Sequence, residues 1–200
     1  MALVSVAFHR GQMCVVGMDS HAVRGHDEIE MLLMDHIEGL REIWCSAWFI
    51  FVGESNLGQE TDHMRHMLRS CGYVYCVCEK GVAGVRTTNQ RKELYAMELC
   101  KFVSQQACLL EKRIVVKNRF LDAGSRKQET LENLRKQLIG FRKLVLKSTS
   151  GRSEPRVSYT GKSQGAQDDL VVTMSIAAYW GVQFLSKRIP GVPYDEIASV

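Results

Sequence analysis

The chain has 200 residues, 46% of them hydrophobic and 24% charged, with a formal net charge of +4. That length and apolar content are enough to bury one substantial core, and no apolar stretch reaches the roughly 20 residues of a membrane-spanning helix. Met1 to His9 lacks both a basic flank and a small-residue cleavage site, so it does not read as a secretion signal.

Ala2 to Ala7 alternates as a strand does, Arg10-Gly11-Gln12 supplies a tight turn, and Met13 to Met18 returns, which predicts a hairpin. From Asp27 to Trp44 the apolar positions Ile29, Leu32, Leu33, Ile37, Leu40 and Ile43 keep helical spacing. Ala47 to Gly53 is a near-continuous apolar run, which predicts a central strand covered on both faces. Gln59 to Cys71 reads as a helix stopped at Gly72, and Tyr73 to Cys78 as another buried strand. Gly81 and Gly84 mark a loop, and Thr88 or Asn89 caps a helix running to Gln106.

Further along, Ile114 to Val116 is a short extended segment and Asp122 to Lys127 a polar loop. Glu129 to Val145 reads as one amphipathic helix with Leu131, Leu134, Leu138 and Phe141 on its apolar face. Thr149 to Pro155 is a polar connection, Arg156 to Tyr159 a short strand, and Ala166 to Lys187 a long apolar helix. The expected organisation is one α/β domain over residues 1–188, with a proline-bearing tail over 189–200.

The cysteine count is seven, an odd number, and most of them sit in apolar segments, which predicts buried reduced thiols in a reducing compartment such as cytosol or nucleus. Cys76 and Cys78 are two apart, and His63 and His66 are three apart; neither spacing is that of a structural zinc motif.

Two acidic positions carry the chemistry. Glu54 ends the apolar run Trp48-Phe49-Ile50-Phe51-Val52-Gly53, where open α/β sheets tend to place their ligand sites. Asp168 and Asp169 open the long C-terminal helix, a position that favours acids through the helix dipole and also suits oxygen ligation of a divalent cation. Between Lys112 and Arg152 twelve basic residues face three acidic ones, so this span reads either as a solvated face or as a phosphate-contacting surface. Gly161-Lys162-Ser163 is not a phosphate loop, because the glycine that such a loop needs five residues upstream is Arg156. No dinucleotide fingerprint is present.

Taken in order, Val4 to Gly17, Phe51-Val-Gly-Glu-Ser-Asn56, Gly84-Val-Arg-Thr-Thr88, Ser158-Tyr-Thr-Gly-Lys162 and Gln167-Asp-Asp-Leu170 resemble the C-terminal nuclease domain of the herpesvirus terminase large subunit. The resemblance spans nearly the whole chain and lies in the order and spacing of short motifs. It implies an RNase H-like (integrase-like) mixed sheet flanked by helices, and a two-metal endonuclease that cuts concatemeric double-stranded viral DNA during packaging in the host cell nucleus. It further implies two Mg²⁺ or Mn²⁺ ions held by Glu54 and by Asp168 or Asp169. Lys162, Arg126, Lys127, Arg135 and Lys136 would contact DNA, and the other terminase subunits and the capsid portal would be partners, with no membrane. The first acid of the family's set lies on an opening strand that in this chain would precede Met1; the fold is therefore expected without its first strand. Asp19, at the end of the hairpin, matches no metal ligand of the family. A non-catalytic DNA- or partner-binding module derived from the nuclease is the alternative, and a structural interaction domain is a third reading.

Overall fold

The computed structural model describes residues 1–23, 25–45, 47–55, 59–115, 123–146, 156–160, 168–189, 192 and 194. In chain order its elements are β1 (Ala2–His9), β2 (Gln12–Ser20), α1 (His26–Ile43), β3 (Phe49–Phe51), α2 (Gln59–Arg69), β4 (Val74–Cys76), β5 (Cys78–Glu79), β6 (Val82–Ala83), α3 (Asn89–Ser104), β7 (Cys108–Val115), α4 (Ala123–Gly140), β8 (Arg142–Leu146), β9 (Arg156–Thr160) and α5 (Asp169–Leu185). They fall into two compact units. A hairpin unit comprises residues 2–21 and 88–179, and a βαβ unit comprises residue 1, 22–87 and 180–200.

In the hairpin unit, β1 and β2 are joined through Arg10 (φ 50°) and Gly11 (φ 78°). Two successive left-handed residues make the turn whose twist matches a tight hairpin. Strand β1 keeps strict alternation: Ala2, Val4, Val6 and Phe8 all pack on the core. Strand β2 does not, because its core residues are Met13, Val15 and Met18, two odd positions and one even. The cause is a bulge. Val6 pairs with Val15 and Ser5 with Gly17, so Val16 is an extra residue that shifts everything after it by one. The other edge of β2 pairs in parallel with β7, which makes the sheet mixed, in the order β1-β2-β7. Strand β2 is therefore central, and it is buried continuously from Val15 to Asp19.

Helices α3, α4 and α5 supply Leu99, Leu134, Leu170 and Met174 to this core, each at most 3% exposed. Helix α3 starts where the sequence places it, with the Thr88 hydroxyl accepting from Arg91 N at 3.3 Å. Helix α4 differs from expectation at both ends. Residues 123–127 are helical rather than a loop, consistent with the helix-forming character of Ala, Arg and Lys. The helix stops at Gly140, and Arg142–Leu146 forms β8, antiparallel to β9, instead of a continued helical face. Strand β7 begins at Cys108, well before the predicted extended segment, and exposes Leu109 and Leu110.

The βαβ unit is built on α1, whose Ile29, Leu32, Leu33, Ile37 and Leu40 are buried along one face. Gly25 offers α1 no side-chain cap, but Asp27 and Glu28 in the first turn complement the dipole. Strand β3 is three residues long and only partly buried, shorter and less covered than its apolar run suggests. It pairs in parallel with β4, with α2 as the crossover. Lys80 (φ 52°) and Gly81 (φ 82°) close the small β5–β6 hairpin. Ile189 and Val192 are buried with Val77 and Val85, and Tyr194 stacks on Phe184 at 5.2 Å.

Candidate functional site

Glu54 lies three residues past β3, and Val85 fixes its backbone. Val85 N donates to Gly53 O at 2.8 Å and Ser55 N donates to Val85 O at 2.9 Å, which makes the parallel Glu54–Val85 bridge. Val85 is fully buried, so the main chain on either side of Glu54 is anchored to the core of the βαβ unit. The Glu54 side chain itself is half-buried.

Asp168 and Asp169 belong to the hairpin unit, at the start of α5. Asp168 is 5% exposed and Asp169 is half-buried. Asp168 occupies the position from which a carboxylate usually accepts from the second and third helical amides. In this fold Gln137 of α4 reaches those amides: its Oε1 accepts from Leu170 N at 2.9 Å and from Val171 N at 3.2 Å. Gln137 is itself buried, at 9% exposure. Sequence reasoning missed it, although its position three residues after Leu134 on the apolar stripe of α4 marked it as an inward polar group.

The structure thus joins Asp168 and Asp169 by adjacency and carries Glu54 in the other unit. Among the described residues no three His, Cys, Asp or Glu side chains surround a common point. Asp19, at the carboxyl end of β2, is 2% exposed; its Oδ1 lies 2.7 Å from His21 Nε2 and accepts from Ser20 N at 3.1 Å.

Of the proposed DNA contacts, Arg135 and Lys136 are exposed on α4. Arg126 and Lys127 sit near the start of α4, and their side chains lie outside the described residues, as does the whole of Lys162. One member of the basic span is committed elsewhere. Lys143 on β8 donates to Glu93 Oε1 at 3.2 Å, and Tyr159, its cross-strand partner on β9, donates to the same oxygen at 3.0 Å. The hydrogen bonds from Tyr159 and Lys143 hold the Glu93 carboxyl below its ordinary range, and the bond to Glu93 pushes Lys143 up. Burial, then the bond to Glu93, pushes the Tyr159 phenol up.

The thiols depart from the expectation of burial. Cys45 and Cys100 are exposed, and the other five are partly buried. Burial, followed by the proximity of Cys78, pushes Cys76 up to about 11, which keeps it protonated at neutral pH. No helix among the described residues is long and apolar enough to cross a membrane.

No protein-family model matches the chain, and no curated protein matches it. Among solved structures, the chain is similar to the human cytomegalovirus terminase nuclease domain soaked with manganese. The TM-score is 0.64 at 13% identity, over 94% of this chain and 80% of that one. The same domain, manganese-soaked and bound to an inhibitor, gives a TM-score of 0.61 at 13% identity, over 94% and 79%. The fold is a mixed α/β arrangement of the terminase nuclease type, as the sequence resemblance implies.

Proposed function

We propose that this chain is a metal-dependent DNA endonuclease module of the viral packaging-terminase type, acting on concatemeric double-stranded DNA in the host nucleus with the other terminase subunits and the portal. The observation that carries this reading is the likeness of fold to a terminase nuclease domain over 94% of the chain. The donor set fits the implied ions: Glu54, Asp168 and Asp169 offer only carboxylate oxygens, which suit Mg²⁺ or Mn²⁺ rather than softer metals. Two such ions, when bound, would supply the Lewis acidity that phosphodiester hydrolysis draws on.

The chain's own residues divide the remaining work. Glu54, with Asp168 or Asp169, would hold the cations. Val85 and Gln137 are positioning residues, the first anchoring the backbone around Glu54 and the second capping the helix from which Asp168 projects. Arg135 and Lys136, with Arg126, Lys127 and Lys162, contact phosphates and set register on the duplex without reading its sequence.

The second reading is a module that binds DNA or a terminase partner without cutting. Nicking of supercoiled plasmid separates the two. Manganese-dependent nicking by the purified chain, lost in Glu54→Ala and in Asp168→Ala, supports the enzyme. Salt-sensitive DNA binding without nicking supports the binding module, and absence of DNA binding rejects both.

A further inference from the structure

Strands β8 and β9 place two hydrogen-bond donors side by side. Lys143 and Tyr159 are direct cross-strand partners, and Lys143 Nζ lies 5.8 Å from the centre of the Tyr159 ring. Both donate to one oxygen, Oε1 of Glu93 on α3, the ammonium at 3.2 Å and the phenol at 3.0 Å. Residues directly opposite each other in an antiparallel pair hold their side chains as neighbours. The strand register therefore sets the two donors, while the acceptor comes from a separate element and is replaceable. The Lys143 and Glu93 side chains are 49% and 37% exposed, so a solute can reach the contact.

The residues flanking Glu93 are basic. The first turn of α3 carries no acid, Arg91 and Lys92 directly precede Glu93, and the start of a helix favours negative charge through the dipole. On β8, Arg142 beside Lys143 is exposed, as are Arg135 and Lys136 on α4, the helix that leads into β8. A single carboxylate thus fills a place to which the surrounding charge would draw any anion.

We infer that Lys143 and Tyr159 form a contact for a backbone phosphate of DNA, and that Glu93 occupies it in the free chain as an internal competitor. The inference rests on reading the chain as a DNA-binding module, which both alternatives above share. A phosphate oxygen accepts from an ammonium and from a hydroxyl as a carboxylate oxygen does, in bonds of the same charge-assisted kind. A half-exposed ion pair contributes little to stability, because water screens it and two side chains are ordered to make it. Exchange of one anionic acceptor for another at these donors therefore costs little, whereas neutralising a phosphate releases a counterion from the duplex. Glu93 lowers the affinity for DNA without touching it, and the β8–β9 ribbon adds a phosphate contact to those of α4. The contact carries no sequence preference, since neither donor reads a base edge in this role.

The test is fluorescence anisotropy of a labelled duplex with the full chain over a salt series, in EDTA, so that binding is read whether or not the chain cuts. Lys143→Ala should weaken binding and reduce the slope of log affinity against log salt by about 1, and Lys143→Arg should keep the slope. Tyr159→Phe should weaken binding with the slope unchanged, because the phenol donates without charge. Glu93→Gln should tighten binding about two- to fivefold and lose that gain in the Lys143→Ala background. Glu98→Gln removes the same charge from the same helix, where Glu98 pairs with Lys101 at 2.9 Å, and should gain less. None of the substituted side chains is buried, so each variant should keep the parent circular dichroism. An unchanged slope in Lys143→Ala overturns the contact. So does an equal gain in Glu93→Gln and Glu98→Gln, or a gain in Glu93→Gln that survives the loss of Lys143, since either result reflects net charge alone. Those outcomes leave the nuclease reading standing, whereas no DNA binding by the parent and by Glu93→Gln alike overturns both.

Discussion

Replacing Gln137 by leucine keeps the volume of the side chain and deletes its oxygen. Two helical amides, Leu170 N and Val171 N, then lose their acceptor at a buried helix start. A made hydrogen bond contributes about 1 kcal/mol net, and a buried donor left unsatisfied costs about 1–3 kcal/mol. Some relief comes from solvent or from the neighbouring Asp168, so the expected loss is about 2–4 kcal/mol. For a chain of this size that corresponds to a fall in melting temperature of about 4–16 °C. Urea unfolding followed by circular dichroism measures the loss, and amide exchange at Leu170 and Val171 localises it. Gln137→Glu retains an oxygen acceptor at the positive end of α5 and should lose less than the leucine variant at neutral pH. A loss below about 0.5 kcal/mol for Gln137→Leu, or unchanged protection of the two amides, would refute the capping role.

Three further predictions concern charge and reactivity. Arg135→Ala and Lys136→Ala should each weaken DNA binding across sequences and reduce the slope of log affinity against log salt by about 1; an unchanged slope removes them from the interface. Glu93 is held low and Lys143 high by their mutual contact. The Glu93 contribution is therefore present above the ordinary carboxylate range and lost as pH falls through the depressed value, whereas that of Lys143 is present below its unfolded value and lost as pH rises through the raised one. In an NMR titration Glu93→Gln should return Lys143 towards its ordinary value, and no movement would show that the pairing is not the cause. Thiol labelling at mild alkaline pH should reach the exposed Cys45 and Cys100 first and Cys76 last; early modification of Cys76 would contradict its burial.

Much of the fold is written in local patterns. The first hairpin follows from alternation and Arg10-Gly11, α1 from helical spacing, and the start of α3 from Thr88. Misreadings occur where two periodicities compete. From Phe141 to Leu146 the short run Leu144-Val145-Leu146 suits a strand, but Phe141, Leu144 and Val145 also extend the stripe of α4, and the helix ends at Gly140. Strand β7 carries Glu111, Lys112 and Arg113 among exposed leucines, so its composition resembles a charged connection. At the candidate site, the helix start at Asp169 is legible because an acid before an apolar run marks it in sequence. Gln137 is not legible as a cap, because its role depends on α4 and α5 meeting, which no local pattern encodes.

The bulge at Val16 bears on how this strand can vary across descent. Val16 is the surplus residue in the pairing with β1, so a lineage that lost its codon would restore plain alternation and still turn Met13, Val15 and Met18 inward. Loss or gain of a codon anywhere else between Gln12 and Asp19 would exchange the two faces of the strand beyond that point. Residue-by-residue matching against a relative that lacks the surplus residue would slip by one here, scoring inward residues against outward ones. At this place length diverges more easily than pattern, and distant kinship is better sought in the partners of β1, whose spacing stays regular, than in the text of β2.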